Sequence, residues 1–234
     1  MPYTLSHAVI ALPLSILTKR KLPIVAVGVG SVSPDFPYLV ALTPTHAPGH
    51  STSGVLLYCL TPSMIFLFAW YRWIEGATLE FWRLPQRGSS TKSPPILLIA
   101  LGVLIGAFSH VLWDATSHSY GSFVTGSTFW NTDFMSLPAY KWNQYGSGII
   151  GLGILGLWYF YYLLKNLKTP YGGHFWLGVL VYTVSILSLV AAANIIHKTI
   201  AFSDFAVRTS IGVMTGGIVA AFVYAVIMNL RSAD

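Results

Sequence analysis

The apolar positions of this chain come in long unbroken runs rather than in the alternating or 3.6-residue stripes of a half-buried element. Seven runs stand out, roughly Thr4–Thr18, Pro23–Ser33, Gly54–Ile74, Pro95–Trp113, Gly146–Leu164, Phe175–Ile196 and Ile211–Leu230. The last five have the ~20 residues that a helix needs to cross a bilayer. The first two are short and form an apolar hairpin broken by Lys19-Arg20-Lys21. Such segments span only when tilted, buried among other helices or set in a thinned bilayer. The pattern predicts an all-α, polytopic integral membrane protein with about seven helical spans, the first two short.

Composition narrows this further. Of 234 residues, 54% are hydrophobic and 9% charged, against the roughly 25% charged of a soluble domain. Mean hydropathy is +0.64. Disorder, a disulfide scaffold and a basic nucleic-acid domain are excluded, and the single cysteine, Cys59, permits no intrachain disulfide. The positive cluster follows the first apolar run instead of preceding it, unlike a secretory signal. No repeat or low-complexity linker divides the chain, which reads as a single membrane-embedded domain over residues 1–234. Gly102-xxx-Gly106 and the Gly148, Gly151, Gly153, Gly156 series suit close helix packing.

The net charge of +6 reports topology rather than a nucleic-acid partner. Along the alternating path, Lys19, Arg20, Lys21, Arg72, Arg83, Arg87, Lys92, Lys165, Lys168 and Arg231 fall on one side, and Lys141, Lys198 and Arg208 on the other. The positive-inside rule makes the richer side cytoplasmic. This places the chain in the cytoplasmic (inner) membrane, with the N-terminus outside and the C-terminus inside.

The same path sends Asp35, Asp114, Asp133 and Asp204 outward with His7, His46, His50, His110, His118 and His197. His174 falls inward with Glu75, Glu80 and Asp234. Within the outer set, His110, Asp114 and His118 recur at i, i+4 and i+8, one stripe of a helix. His7 opens the first run, Ser33-Pro34-Asp35 closes the second, and His50 precedes the third. Ionisable groups at membrane depth are expensive and point to function. His7, Asp35, His50, His110, Asp114 and His118 are therefore candidate metal ligands. Their nitrogen and oxygen donors suit a divalent metal, zinc first, with manganese or iron as alternatives. Six ligands exceed one closed zinc site, so two metals, or one metal with an outer shell of acid/base groups, fit the set.

Asp35 and His118 are the candidate catalytic groups. His46, His174 and His197 read as interfacial or hydrogen-bonded residues, and Pro34 and Pro37 as helix-stop signals. The long outer connection Ser119–Tyr145 reads as a lid or interfacial helix, with Lys141, Gln144 and Tyr145 as candidate substrate-binding residues.

The opening Met1-Pro-Tyr-Thr-Leu-Ser-His7, Gly30-Ser-Val-Ser-Pro-Asp35, Gly49-His-Ser51, Ser109-His-Val-Leu-Trp-Asp114 with His118, and Tyr140-Lys-Trp-Asn-Gln-Tyr-Gly-Ser147 resemble a bacterial membrane-protein family. It is numbered 4184 among domains of unknown function, and the likeness covers most of the chain. More distantly, the order of His and Asp motifs is similar to YdjM-type membrane-bound metal-dependent hydrolases and to zinc-dependent phospholipase C. That resemblance implies metal ligation by His7, Asp35, His50, His110 and Asp114, with His118 a weaker match. The chain lacks the processed N-terminal Trp ligand and the late Glu ligand of the soluble enzymes.

The leading expectation is a membrane-bound metal-dependent hydrolase with an outer-face site, acting on a lipid or lipid-linked phosphoester. Its partners would be the bilayer and that substrate, with no nucleic acid; the oligomeric state is left open. The alternatives are a metal-ion or proton transporter, and a non-catalytic scaffold with a structural metal.

Overall fold

A computed structural model describes residues 4–85, 93–166 and 174–231. Met1, Pro2 and Tyr3 of the opening motif, and Arg87, Lys92, Lys168 and Asp234 of the charge count, lie outside the described residues. The chain is all-α and polytopic. Among the described residues six helices are long and apolar enough to cross a membrane, and a shorter apolar helix precedes them. In chain order they are α1 (Thr4–Leu17), α2 (Ile24–Ala41), α3 (Thr52–Phe81), α4 (Ile96–Ser117), α5 (Ala139–Asn166), α6 (Phe175–Ile196) and α7 (Phe202–Arg231). A helix of 22 residues, such as α4 or α6, is about 33 Å long, close to the ~30 Å of a hydrocarbon core.

The helices outrun most of the apolar windows that predict them. α5 begins at Ala139 and α7 at Phe202, because hydropathy marks the lipid-facing stretch whereas polar residues such as Lys141 or Arg208 continue a helix perfectly well in a headgroup layer.

The second span is the clearest correction. It does not close at Ser33-Pro34-Asp35 but runs on to Ala41, and neither Pro34 nor Pro37 stops it. Ser33–Asp35 is one turn of 3-10 helix. Proline removes a backbone donor and so leaves a carbonyl one turn back without its partner. Here the Ser33 hydroxyl donates to the Gly30 carbonyl at 2.7 Å, and the Phe36 N–H reaches the Ser33 carbonyl. The spare carbonyls are thus satisfied locally.

Three helical segments end in the same way. Lys19, Arg83 and Lys198 adopt the left-handed conformation with φ of 50°, 56° and 47°. The following N–H groups close back on the helix, from Arg20 to Ser15, Leu84 to Leu79 and Thr199 to Asn194, at 2.7, 2.7 and 3.0 Å. A basic residue in this position accepts a backbone strain that glycine would avoid, and sets its charge near the negative end of the helix dipole.

The contacts divide the chain into two compact units. The first comprises Met1–Phe36, Ala47–Met64 and Pro94–Leu157. Its axis is the crossing of α2 and α4, where backbones touch. A methyl group added at Gly30 would sit 2.2 Å from the Val103 carbonyl oxygen, and one at Gly106 would sit 2.2 Å from that of Val27. Along α5, Gly151 packs against Ser6, whereas Gly153 and Gly156 meet nothing within 4 Å. Between α4 and α5 lie a short helix, Thr128–Asn131, and a two-stranded hairpin, β1 (Asp133–Phe134) with β2 (Leu137–Pro138), Phe134 pairing with Leu137.

The second unit comprises Pro37–His46, Ile65–Ser93 and Trp158–Asp234. Its interior is aromatic. Phe81 stacks on Tyr182 at 4.9 Å between ring centroids and meets Tyr224 edge-on at 5.6 Å. α6 and α7 approach through Gly212 against Val190 and Gly216 against Ile186.

Candidate metal centre

Four stretches of the first unit bring the six predicted ligands together. His7 is carried by α1 and Asp35 by the 3-10 turn within α2. His50 ends a short 3-10 turn, Pro48–His50, ahead of α3. His110 and Asp114 lie on consecutive turns near the end of α4, and His118 is its C-terminal cap. The glycine-mediated crossing of α2 and α4 lets Asp35 and His110 approach, and a side chain at Gly30 or Gly106 would hold them apart.

Asp114 is the hub. Its Oδ2 lies 3.3 Å from His50 Nε2 and 3.4 Å from His110 Nε2, while its Oδ1 lies 3.6 Å from His7 Nε2 and 3.4 Å from His118 Nδ1. Asp35 faces the same two imidazoles, Oδ1 at 3.4 Å from His50 Nε2 and Oδ2 at 3.7 Å from His110 Nε2. The His7 and His110 rings stack at 3.9 Å. Asp35 and His110 are each only 1% exposed.

The outer contacts fix which atoms face inward. His110 Nδ1 lies 2.7 Å from the Ser31 carbonyl oxygen, and His50 Nδ1 lies 3.2 Å from that of Ala47. A carbonyl only accepts, so each Nδ1 carries a proton and each ring turns its Nε2 toward the carboxylates. Thr4 donates to Asp35 Oδ2 at 2.6 Å. Orientation of ligand rings by backbone carbonyls and of ligand carboxylates by hydroxyls is the usual outer shell of a metal site.

What remains inside is unsatisfied. Asp35 Oδ1, Asp114 Oδ1, His50 Nε2, His110 Nε2 and His118 Nε2 are buried without a hydrogen-bond partner. The 3.3–3.7 Å separations exceed the ~2.7–2.9 Å of a charge-assisted hydrogen bond. They match the spacing of about 3.4 Å between neighbouring ligands of a tetrahedral ion with bonds of ~2.1 Å. Two triads, His7 with His110 and Asp114, and Asp35 with His50 and His110, have ligand atoms close enough to hold one ion each. His110 has a single free nitrogen, so it can serve only one ion at a time. The donor set and its geometry fit a divalent metal.

His118 sits at the rim. Ser117 Oγ is 3.1 Å from its Nδ1, and the Tyr120 ring tilts over it at 5.1 Å. Burial pushes its imidazole below the ordinary histidine range, with the Asp114 carboxylate pulling the other way.

Lys141, Gln144 and Tyr145 lie on α5, which starts at Ala139, so the connection read as a lid or interfacial helix over Ser119–Tyr145 ends before them. Their side chains engage one another. Lys141 Nζ donates to Gln144 Oε1 at 3.2 Å and lies 5.5 Å from the Tyr145 ring centroid. The start of α5 is tied to the end of α4 by Asn143 Nδ2, which donates to the Thr116 carbonyl at 3.2 Å, and by Trp113 Nε1, which donates to Ser147 Oγ at 3.1 Å. Of the remaining histidines, His197 Nε2 donates to the Ala41 carbonyl at 2.9 Å, and His174 Nδ1 lies 3.2 Å from Arg231.

Sequence reasoning misses Thr4, Tyr120 and the Ser31 and Ala47 carbonyls. Thr4 was within reach, because it stands three residues before His7 and so shares its helical face. Nothing in a sequence marks a carbonyl as an orienting group.

No curated protein and no solved structure matches the chain. A family model described as Domain of unknown function (DUF4184) matches residues 1–229. It takes in every residue of the centre, and the chain belongs to that family.

Proposed function

We propose that the protein is a membrane-embedded, divalent-metal-dependent hydrolase. Its centre would be built by His7, Asp35, His50, His110 and Asp114, with His118 at the rim. One observation carries the reading. Buried imidazole nitrogens and carboxylate oxygens from four stretches of the chain converge at 3.3–3.7 Å, longer than a charge-assisted hydrogen bond and at the spacing of neighbouring ligands around one ion.

A divalent ion bound there would lower the pKa of a bound water and polarise a phosphoryl or acyl oxygen. The chain supplies the rest. Asp35 and Asp114 contribute the negative charge, and Thr4 and the Ser31 and Ala47 carbonyls hold the ligands in place. His118 would accept the proton of the attacking water, with Asp35 as the second candidate catalytic group. Lys141, steadied by Gln144 and Tyr145, would offset negative charge on the substrate. The nitrogen and oxygen donors and their tetrahedral spacing favour zinc over manganese or iron.

The ligands lie toward the ends of apolar helices, which favours a lipid or lipid-linked phosphoester. The ten-to-three division of basic residues favours an extracytoplasmic site in the cytoplasmic membrane, with the C-terminus inside. The similarity in motif order to YdjM-type hydrolases agrees with this reading.

The test is elemental analysis of the purified protein, followed by assay of the metal-loaded form against phosphodiesters, phosphomonoesters and phospholipids. Wild type should carry one or two equivalents of divalent metal and hydrolyse at least one substrate class, and His110→Ala should lose both. Absence of metal under replete conditions would refute the centre. Metal with no hydrolysis would favour the scaffold, and metal flux into vesicles the transporter.

A further inference from the structure

Residues 119–138 join α4 to α5 and contain one charged residue, Asp133. A connection of this length in water would cover itself with polar side chains. This one exposes small polar side chains such as Ser122, Thr128 and Thr132 but, with the first turn of α5, also presents Tyr120, Phe123, Phe129, Phe134, Met135 and Trp142, each between 44% and 74% exposed. A contiguous apolar surface of this kind marks contact with a partner or a membrane.

The backbone beneath is well ordered by its own hydrogen bonds. Gly121 N–H donates to His118, Phe123 to Ala115, Val124 and Thr125 to Gly121, and Thr132 to Phe129, all at 2.8–3.3 Å. The Asn131 side-chain amide donates to the Val124 and Ser127 carbonyls at 2.8 Å each. Val124 is fully buried beneath the segment. At the hairpin tip Met135 and Ser136 both have positive φ, 48° and 66°, the tight two-residue turn that matches strand twist. Trp142 Nε1 then donates to the Phe134 carbonyl at 2.7 Å, pinning the hairpin to α5.

Two features identify what covers this surface. It continues directly into the face of α5 that carries exposed Ile149, Ile150 and Ile154, a face that belongs to lipid if α5 spans the membrane. Part of its backbone is also satisfied from within, while the groups left over suit the hydrated headgroup boundary rather than the acyl core. We propose that residues 120–135 form an apron that lies in the boundary between headgroups and acyl chains, with Phe129 and Met135 immersed in the bilayer. The occupant of this surface is the surrounding lipid. The apron goes beyond the metal reading and would stand if that reading fell.

The experiment places a nitroxide at Met135→Cys or at Phe129→Cys, each in a Cys59→Ala background, in phosphatidylcholine–phosphatidylglycerol vesicles. A label at Lys19→Cys in the basic turn serves as the aqueous reference. Power saturation compares access of oxygen, which partitions into lipid, with access of a water-soluble nickel chelate. The oxygen-to-chelate ratio should be several-fold higher at both apron positions than at position 19. Ratios equal to that of the reference would overturn the proposal. So would spin–spin broadening that disappears on dilution with unlabelled protein, which would assign the surface to a second copy of the chain. Should both labelled proteins misfold, brominated-lipid quenching decides. Wild type should then lose more fluorescence than Trp142→Phe, and equal losses would overturn the proposal.

Discussion

The two units solve the same packing problem and leave opposite interiors. Each brings helices into backbone contact through glycines, Gly30 and Gly106 in the first and Gly212 and Gly216 in the second. In the second unit Arg208 is answered by its neighbours. Arg208 donates to Thr43 and Thr199 hydroxyls and to the His197 carbonyl, and lies 3.9 Å from Asp204. The partnerless buried atoms that remain there include the Trp70 indole nitrogen, the Thr78 hydroxyl and the Asn194 amide oxygen, all neutral. In the first unit the same category includes carboxylates and imidazoles. A neutral orphan costs ~1–3 kcal/mol and a charged one more, so a buried cluster of carboxylates and imidazoles persists only where protons or a cation lie among them. The difference separates a helix pair that merely packs from one that packs in order to hold a site.

That contrast can be broken most sharply at Asp114. Asp114→Ala removes the carboxylate whose two oxygens face four histidines and should weaken metal binding by more than ~100-fold, beyond the ~10–100-fold of an outer-shell loss. Competition with a chelator of known affinity reads this out. Undiminished affinity would show that the cluster is not a centre.

Next in size is a matched pair of glycine substitutions. Gly106→Val and Gly212→Val should each destabilise the fold by about 1–3 kcal/mol, the cost of overpacking. Only Gly106→Val should also lower metal content per folded chain, because it parts α2 from α4. Equal metal loss in both would erase the distinction drawn here between the units.

A smaller effect is expected at Thr4→Val, which takes the hydroxyl from Asp35. Metal affinity should fall by about tenfold with little change in thermal unfolding, and Thr4→Ser should restore most of it. Smallest is Arg208→Ala in the second unit. It should cost about 1 kcal/mol as a lowered unfolding midpoint while metal content stays at the wild-type level.

Much of the fold was legible because lipid imposes one demand, long apolar runs, and the runs are plain in the sequence. Helix ends were less so. Pro34 and Pro37 look like terminators until the Ser33 hydroxyl is seen to take the spare carbonyl of Gly30. The six ligand candidates were readable because ionisable residues are conspicuous against an apolar background, and the four-residue spacing of His110 and Asp114 already implies a shared face. The polarity of Lys141 and Gln144 masks the continuity of the first turns of α5 with its apolar stretch. The apron was visible only as a long connection, since exposure of Phe129 or Met135 is a property of the folded surface.

The sequence by itself determined that the protein lives in a membrane, that its helices are set by apolar runs, and which few residues can bear charge within them. These follow from composition and local periodicity, which need no partner across space. Only the tertiary structure decided that His7, Asp35, His50, His110 and Asp114 converge, and that His50 and His110 present Nε2 to the carboxylates. Those facts depend on the crossing of α2 and α4 and on carbonyls up to 79 residues away from the ring they orient, and no local pattern encodes them.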